Sequence, residues 1–276
     1  MIMPSVRKSN MLKTAGAIAA STVVSKNTVA SAAELKKQPG ETKIVAVIGH
    51  DAWHNGVAWE LGIRRVFASK PGFRIIAVRS SSAWSNDLIE DADLLIASKA
   101  SVPDHIELGS DLIADTVEAG ENFWSDATID AIIRNVRGRG MGFMPLHCSA
   151  WARSPKMFDF IGVEPIMHNQ VQPLWVHNLN KEHPVTSGMD NFMINLDEQF
   201  AVVVKSQYTD TLFETTAMHD KREAVGAWSL ENGKGRIVGL LPGHTADAYN
   251  TVEYREILWR AAHWAMKKEI DVFPKG

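Results

Sequence analysis

Lys43-Ile44-Val45-Ala46-Val47-Ile48-Gly49 sets five consecutive apolar residues between a lysine and a glycine. A strand with water on one face alternates apolar and polar residues. An unbroken apolar run is the pattern of a strand buried on both faces, as in a parallel sheet covered by helices. Downstream, Gly56 to Ser69 places Val57, Leu61, Arg64/Arg65 and Phe67 at helical spacing, with Asn55 as N-cap. Phe73 to Val78 reads as the second strand and Asp93-Leu94-Leu95-Ile96-Ala97 as the third. Residues 125–139 repeat the helical signal: Ser125 caps it, Ile129, Ile132, Ile133 and Val136 share a face, and Gly138 and Gly140 end it. Met141 to Leu146 reads as a fourth buried strand. Strand and helix alternating through the first 150 residues predict an α/β domain with a parallel sheet and right-handed crossovers.

The second half is richer in β signals. Phe192 to Leu196, Ala201 to Lys205, Ala224 to Leu230 and Gly235 to Leu241 read as strands, joined by turn signals such as Asn232-Gly233. Thr251 to Lys268 reads as a closing helix with Ile257, Leu258, Ala261, Ala262 and Ala265 turned inward. The segment from Lys99 to Trp124 is weakly patterned and fits either a lid or a small helical insertion.

The totals bound the function classes. At 276 residues, 45% hydrophobic and 22% charged, the chain has the composition of a globular protein, which excludes disorder, collagen and coiled coil. No apolar run approaches the roughly 18–20 residues that a membrane-spanning helix requires. The single Cys148 excludes an intramolecular disulfide and any cysteine-built zinc or iron–sulfur site. Residues 1–33 read as an export signal: Arg7, Lys8 and Lys13 precede a mild apolar stretch from Thr14 to Val24, and Ala30-Ser31-Ala32 follows as an A-x-A cleavage pattern. The stretch resembles a degenerate twin-arginine signal; a basic tail is the alternative. Cleavage would remove Arg7, Lys8, Lys13 and Lys26 and no acidic residue, shifting the net charge from −3 to −7. An acidic chain without a Lys/Arg cluster argues against nucleic acid and anionic membranes as partners. An exported protein with one cysteine suits a periplasm. A polar spacer (34–42), a domain over 43–268 and a short tail (269–276) complete the expected organisation.

Ligands of open α/β sheets bind at the carboxyl ends of the strands, where loops and helix N-termini converge. Three predicted strands end there in histidine. The first leads into Gly49-His50-Asp51-Ala52-Trp53-His54, the fourth into Pro145-Leu146-His147-Cys148-Ser149-Ala150-Trp151, and the strand from Gly235 into Leu241-Pro242-Gly243-His244. His147 and Cys148 stand at a strand-to-helix turn, where a nucleophile elbow presents a side chain. A Cys148 thiolate with His147 or His244 as base is one reading; with the elbow's usual glycines missing, a small buried residue is the better one. His50, His54, His147 and His244 are also candidate imidazole ligands for a divalent metal. Asp197 and Glu198 follow a strand and are candidate acid/base carboxylates or partners of a histidine, or else a solvated turn. His183-Pro184 reads as a structural turn. His105, His168, His177, His219 and His263 show no converging partner and read as ordinary.

Taken together, NKEHPVTSGMDNFMINLDEQF (180–200), GAWSLENGKGRIVGLLPGHTADAYNTVEYREILWRAAHWA (226–265) and GRGMGFMPLHCSAW (138–151) resemble the ThuA-like (trehalose utilisation) family. Members carry a His-Pro-(Ile/Val)-x-x-Gly turn, an acidic pair, a Gly-Lys-Gly-(Arg/Lys) strand entry, a Gly-His strand end and a last helix ending in Trp-Ala; Cys148 stands where the family usually has Ser. The resemblance covers roughly residues 43–268. It implies the fold of the class I glutamine amidotransferases, a three-layer α/β sandwich with a mostly parallel, flavodoxin-like sheet. In that superfamily the elbow holds a catalytic Cys and a later strand is followed by His-x-Glu. Here His147 falls at the nucleophile position and His244 near the catalytic His, but Ala246 stands in place of the Glu, which argues against glutamine hydrolysis.

What the resemblance implies instead is carbohydrate metabolism, including trehalose and keto-sugars. The resulting expectation is an exported protein acting on a glycoside or keto-sugar by histidine-based acid/base chemistry. His147 and His244 would move protons, with Asp197 or Glu198 orienting one of them. Trp53 and Trp151 would pack on the sugar ring, and His50, His54 and Cys148 would touch the substrate. Isomerisation or elimination of a 3-keto-sugar suits neutral imidazoles; hydrolysis by a carboxylate pair is less supported, because one acidic pair presents itself. A non-catalytic sugar-binding module and a metal-dependent hydrolase with a His-lined site stay open, and a divalent metal is the one cofactor suggested.

Overall fold

The computed structural model of the chain describes residues 22–24, 35–49, 51, 53–68, 70–101 and 123–273. His50, His105 and most of the segment between Lys99 and Trp124 lie outside them. So does the stretch read as an export signal, apart from the short strand β1 (Thr22–Val24).

β2 (Thr42–Ile48) is buried at every position, as its apolar run requires. It lies between β3 (Phe73–Val78) and β4 (Leu94–Ser98), parallel to both. The ammonium of Lys43 is compensated by the carboxylate of Asp91. α1 (Gly56–Phe67) connects β2 to β3 and starts where Asn55 accepts a hydrogen bond from the Ala58 amide at 3.2 Å. α2 (Asp126–Arg134) begins at Ser125, whose hydroxyl accepts from the Thr128 amide. It runs on as a π-helical turn over 135–139 and stops at Gly140, whose φ of +89° suits a residue without Cβ. β5 (Gly142–Pro145) then pairs parallel with β4. This half follows the sequence reading.

In the rest of the chain the four strands and the closing helix read from sequence are present, joined by three strands that were not read. After α3 (Pro155–Ile161) come β6 (Val163–His168), β7 (Gln172–His177), β8 (Phe192–Asp197), β9 (Phe200–Val204), β10 (Asp210–Ala217), β11 (Arg222–Asn232) and β12 (Gly235–Leu240). The last helices are α4 (Ala246–Asn250) and α5 (Val252–Ala265). The main sheet has the order β1-β3-β2-β4-β5-β12-β11-β10-β7-β8, while β6 and β9 form a separate two-stranded sheet. β12 returns beside β5 in parallel; from β12 to β8 every pairing is antiparallel. The sheet is therefore mixed, and a mostly parallel, flavodoxin-like sheet is not what the chain forms.

The physical reason lies in the connections. Asn232 pairs with Gly235 across the two-residue turn Gly233-Lys234, with Gly233 at φ +62°, and so short a link joins antiparallel neighbours alone. β11 nevertheless carries the buried run Gly226–Leu230, so burial on both faces does not distinguish a parallel from an antiparallel strand.

The helices close the core. α5 buries Trp259 against Phe67 of α1 and Phe73 of β3, with ring centroids 5.8 and 5.7 Å apart. α1 and α4 approach so closely that a Cβ on Gly62 would lie 2.3 Å from the Tyr249 ring. No helix among the described residues is long and apolar enough to cross a membrane.

Candidate active site

Because β2, β4, β5 and β12 are parallel, their carboxyl ends share one edge of the sheet. The chain leaving β5 turns sharply there. His147 has φ +45°, a left-handed conformation that costs a residue with a Cβ about 1 kcal/mol or more. The turn drives its imidazole inward to 0% exposure. Nδ1 lies 2.8 Å from the carbonyl oxygen of Leu241. A carbonyl only accepts, so Nδ1 carries the proton and Nε2 presents a lone pair. Burial is the main influence on this ring and, against the pull of Glu198, lowers its pKa to about 4. The ring is neutral near pH 7.

That lone pair faces two other groups. Nε2 of His147 is 3.1 Å from Nδ1 of His244 and 3.2 Å from Oε2 of Glu198, and Nδ1 of His244 is 3.3 Å from the same oxygen. Burial alone would raise the Glu198 pKa; the adjacent imidazoles of His147 and His244 outweigh it and hold the carboxylate well below its usual range. Burial alone would lower His244, but the hydrogen bond and charge of Glu198 raise it.

Asp197 stands behind this trio. Its carboxyl accepts from the backbone amides of Gly243 at 2.6 Å, His244 at 2.7 Å and Thr245 at 3.2 Å, which pins the loop carrying His244. Complete burial pushes the Asp197 carboxyl up to about 7, against the lowering effect of those amides. Gly243 takes φ +132° beneath the hydroxyls of Tyr249 and Tyr254, where a Cβ would lie 3.1 Å from the first and 3.3 Å from the second.

Two further histidines complete the cluster. Nδ1 of His54 lies 2.7 and 2.8 Å from the two oxygens of Asp51, a carboxylate that accepts its proton and leaves Nε2 with a lone pair. Nδ1 of His168 lies 2.7 Å from Oε1 of Glu198. His168 reaches that position because it is register partner to Phe200 in the β6–β9 sheet, two residues beyond Glu198. His54, His147, Glu198 and His244 each offer one ligand atom, and these atoms lie within 4.8 Å of one another.

A cavity of about 500 Å³ opens onto this cluster, lined among others by Trp53, Trp151, His54, His168, Glu198 and His244. His147 and Asp197 are not on its lining; they back the residues that are. Cys148 borders the cavity but is 2% exposed, and burial pushes its thiol well above the ordinary range, so it is no thiolate nucleophile. Of the residues singled out from sequence, His54, His147, Asp197, Glu198 and His244 therefore come together, with Trp53, Cys148 and Trp151 beside them. His168 was read as ordinary, and that reading is corrected. The missing signal was the strand Val163–His168, which Pro165 hides and whose partner β9 is more than thirty residues away. His183 is structural as expected: it accepts from the Val185 amide and pairs with the Ser229 hydroxyl at 3.2 Å.

The profile of the trehalose utilisation (ThuA) family matches residues 45–265. The chain belongs to the ThuA family. Solved ThuA-like proteins share its fold. One from Parabacteroides merdae is 15% identical with a TM-score of 0.65, over 85% of this chain and 94% of that one. One from Bacteroides uniformis is 15% identical with a TM-score of 0.63, over 83% and 93%. A β-galactosidase from Rahnella sp. R3 superposes over 86% of this ThuA-family chain but 33% of its own, at 11% identity and a TM-score of 0.55. At such identities the likeness concerns the fold. No curated protein matches the chain.

Proposed function

We propose that this ThuA-family protein is an exported enzyme that binds a glycoside or keto-sugar in the cavity and transfers a proton at the carbon next to a carbonyl. The observation that carries the reading is the meeting of His54, His168, Glu198 and His244 on one cavity whose lining also includes Trp53 and Trp151. Indole faces pack on the apolar face of a pyranose, and Trp53 is 65% exposed and free to do so. His168 supplies the base. Glu198 accepts the proton on its Nδ1, which leaves a lone pair on Nε2, the arrangement of a histidine oriented by a carboxylate. In the reaction the C–H bond breaks, its proton passes to His168 and its electron pair forms the double bond of an enediolate. Return of the proton to the neighbouring carbon, with the hydroxyl proton passing from one oxygen of the enediolate to the other, completes an isomerisation; departure of a β-substituent with the electron pair of its bond completes an elimination. Of the lining imidazoles His244 faces the developing oxyanion, since the lone pair on Nε2 of His54 would repel it. His147, buried and neutral, positions His244 and Glu198 and does not meet the sugar.

The test is exchange in D2O. Keto-glycosides and their parent glycosides are incubated with the full chain, and loss of the proton beside the carbonyl is followed by NMR. Exchange on keto forms alone, reduced about 10²–10⁴-fold in kcat by His168→Gln with KM little changed, is the expected result. Neither binding nor exchange on any sugar of the panel would overturn the proposal.

A further inference from the structure

We propose that His54, His147, His244 and Glu198 form a binding site for one divalent first-row transition-metal ion, with Zn²⁺ the best fit. The inference deepens the functional reading above and rests on it for one point, the identity of what meets the ion from the cavity side.

Distances come first. Nitrogen and carboxylate donors sit about 2.0–2.2 Å from Zn²⁺, so neighbouring donors of a tetrahedral site lie ~3.3 Å apart. Nε2 of His147, Nδ1 of His244 and Oε2 of Glu198 are separated by 3.1, 3.2 and 3.3 Å. Three atoms already stand at the spacing of a coordination triangle, and the ligand atom of His54 lies within 4.8 Å of all of them.

The second argument is where the lone pairs point. Three of the four donors have their other polar atom engaged by a group that leaves the inward atom bare. The Leu241 carbonyl accepts from Nδ1–H of His147, Asp51 accepts from Nδ1–H of His54, and Nδ1–H of His168 donates to Oε1 of Glu198. A histidine whose distal nitrogen donates to a carboxylate or a backbone carbonyl is the usual outer support of a metal-bound imidazole, because it fixes both tautomer and ring orientation. An ordinary hydrogen-bond network would pair donors with acceptors. Here three acceptors, two imidazole lone pairs and a carboxylate oxygen, converge with Nδ1 of His244, so one N–H at most serves them all.

The donor chemistry selects the metal. Three imidazoles and one carboxylate suit Zn²⁺, Co²⁺, Fe²⁺ or Mn²⁺, whereas Mg²⁺ and Ca²⁺ prefer all-oxygen shells. His54, His244 and Glu198 line the cavity and His147 does not, so the side of the cluster opposite His147 faces the cavity. An ion there could expand to a fifth position on the cavity side for a water or a sugar oxygen, and would polarise a carbonyl as a Lewis acid.

The test uses the full chain stripped by a chelator and titrated without any sugar. Zn²⁺ in calorimetry is expected to bind at one ion per chain, Co²⁺ to give visible absorption bands of a nitrogen-rich, low-symmetry site, and Mg²⁺ to give neither. His244→Asn and Glu198→Gln are each expected to weaken Zn²⁺ binding by at least ~100-fold, with circular dichroism showing that they fold. Stripped wild-type protein that yields no Zn²⁺ heat and no Co²⁺ bands overturns the proposal, as does undiminished binding in both variants. Metal uptake without sugar binding would remove the functional reading and leave the metal site. Sugar turnover with no Zn²⁺ heat and no Co²⁺ bands would do the reverse.

Discussion

Nε2 of His147 and Nδ1 of His244 stand 3.1 Å apart although 97 residues of chain separate them. Two ring nitrogens at that distance share one proton at most. His147 has its proton on the opposite nitrogen, so the shared proton sits on His244, which then donates to His147 and to Glu198 alike. The raised pKa of His244 agrees with this arrangement. A cation entering the cluster takes the place of that proton.

Asp51 supports the cluster by orienting His54: both of its oxygens lie against Nδ1 of that ring, and its charge also raises the pKa of His244. Asp51→Asn therefore weakens Zn²⁺ binding about 10–100-fold while leaving stoichiometry unchanged, measured by competition with a chromophoric chelator. Equal affinity in the variant would show that the ring is held by Trp59, 5.0 Å away, and not by the carboxylate.

Asp197→Asn tests the loop of His244. The amide keeps the shape but turns an NH2 toward at least one backbone N–H that the carboxyl now satisfies. The expected loss is about 2–3 kcal/mol, read as a fall in Tm of roughly 5–10 °C for a domain of this size. A variant as stable as the parent would mean that the loop is held by the short Thr245–Leu196 hydrogen bond instead.

Acid stability depends on Glu60. It is buried, accepts from Arg64 at 2.8 Å and from Arg79 at 2.6 and 3.1 Å, and these partners lower its pKa despite the raising effect of burial. A lowered pKa stabilises the fold fully above the unfolded value of about 4.3, and the contribution is lost as pH falls through the folded value. Glu60→Gln is expected to cost about 1–3 kcal/mol at pH 7 and progressively less below pH 4, by urea denaturation across that range. A constant difference at all pH values would assign the loss to packing.

The thiol of Cys148 is silent in the native protein. A thiol-specific reagent is expected to label no cysteine in the folded chain and one per chain in guanidinium, because burial keeps the group protonated. Rapid labelling in buffer would show that the cavity admits reagent to the thiol and would reopen the nucleophile reading. Cys148→Ala is expected to keep any activity on sugars.

The amino-acid sequence by itself determined the local elements and the approximate place of the chemistry. The apolar run Ile44–Ile48, the Asn55 and Ser125 caps and the glycine stop at Gly140 depend on neighbours within a few residues, and all appear in the fold. His54, His147 and His244 were legible as strand-end residues for the same reason. Tertiary structure alone decided the sense of the sheet, since a run buried on both faces looks alike in β2 and β11 and the connections choose the pairing. It also decided that His168 joins Glu198, through a β6–β9 register that no local period encodes. The direction of the lone pairs was settled last and from farthest away. Which nitrogen of His147 holds the proton is fixed by the carbonyl of Leu241, 94 residues along the chain, because an acceptor in the buried interior leaves the ring no other tautomer.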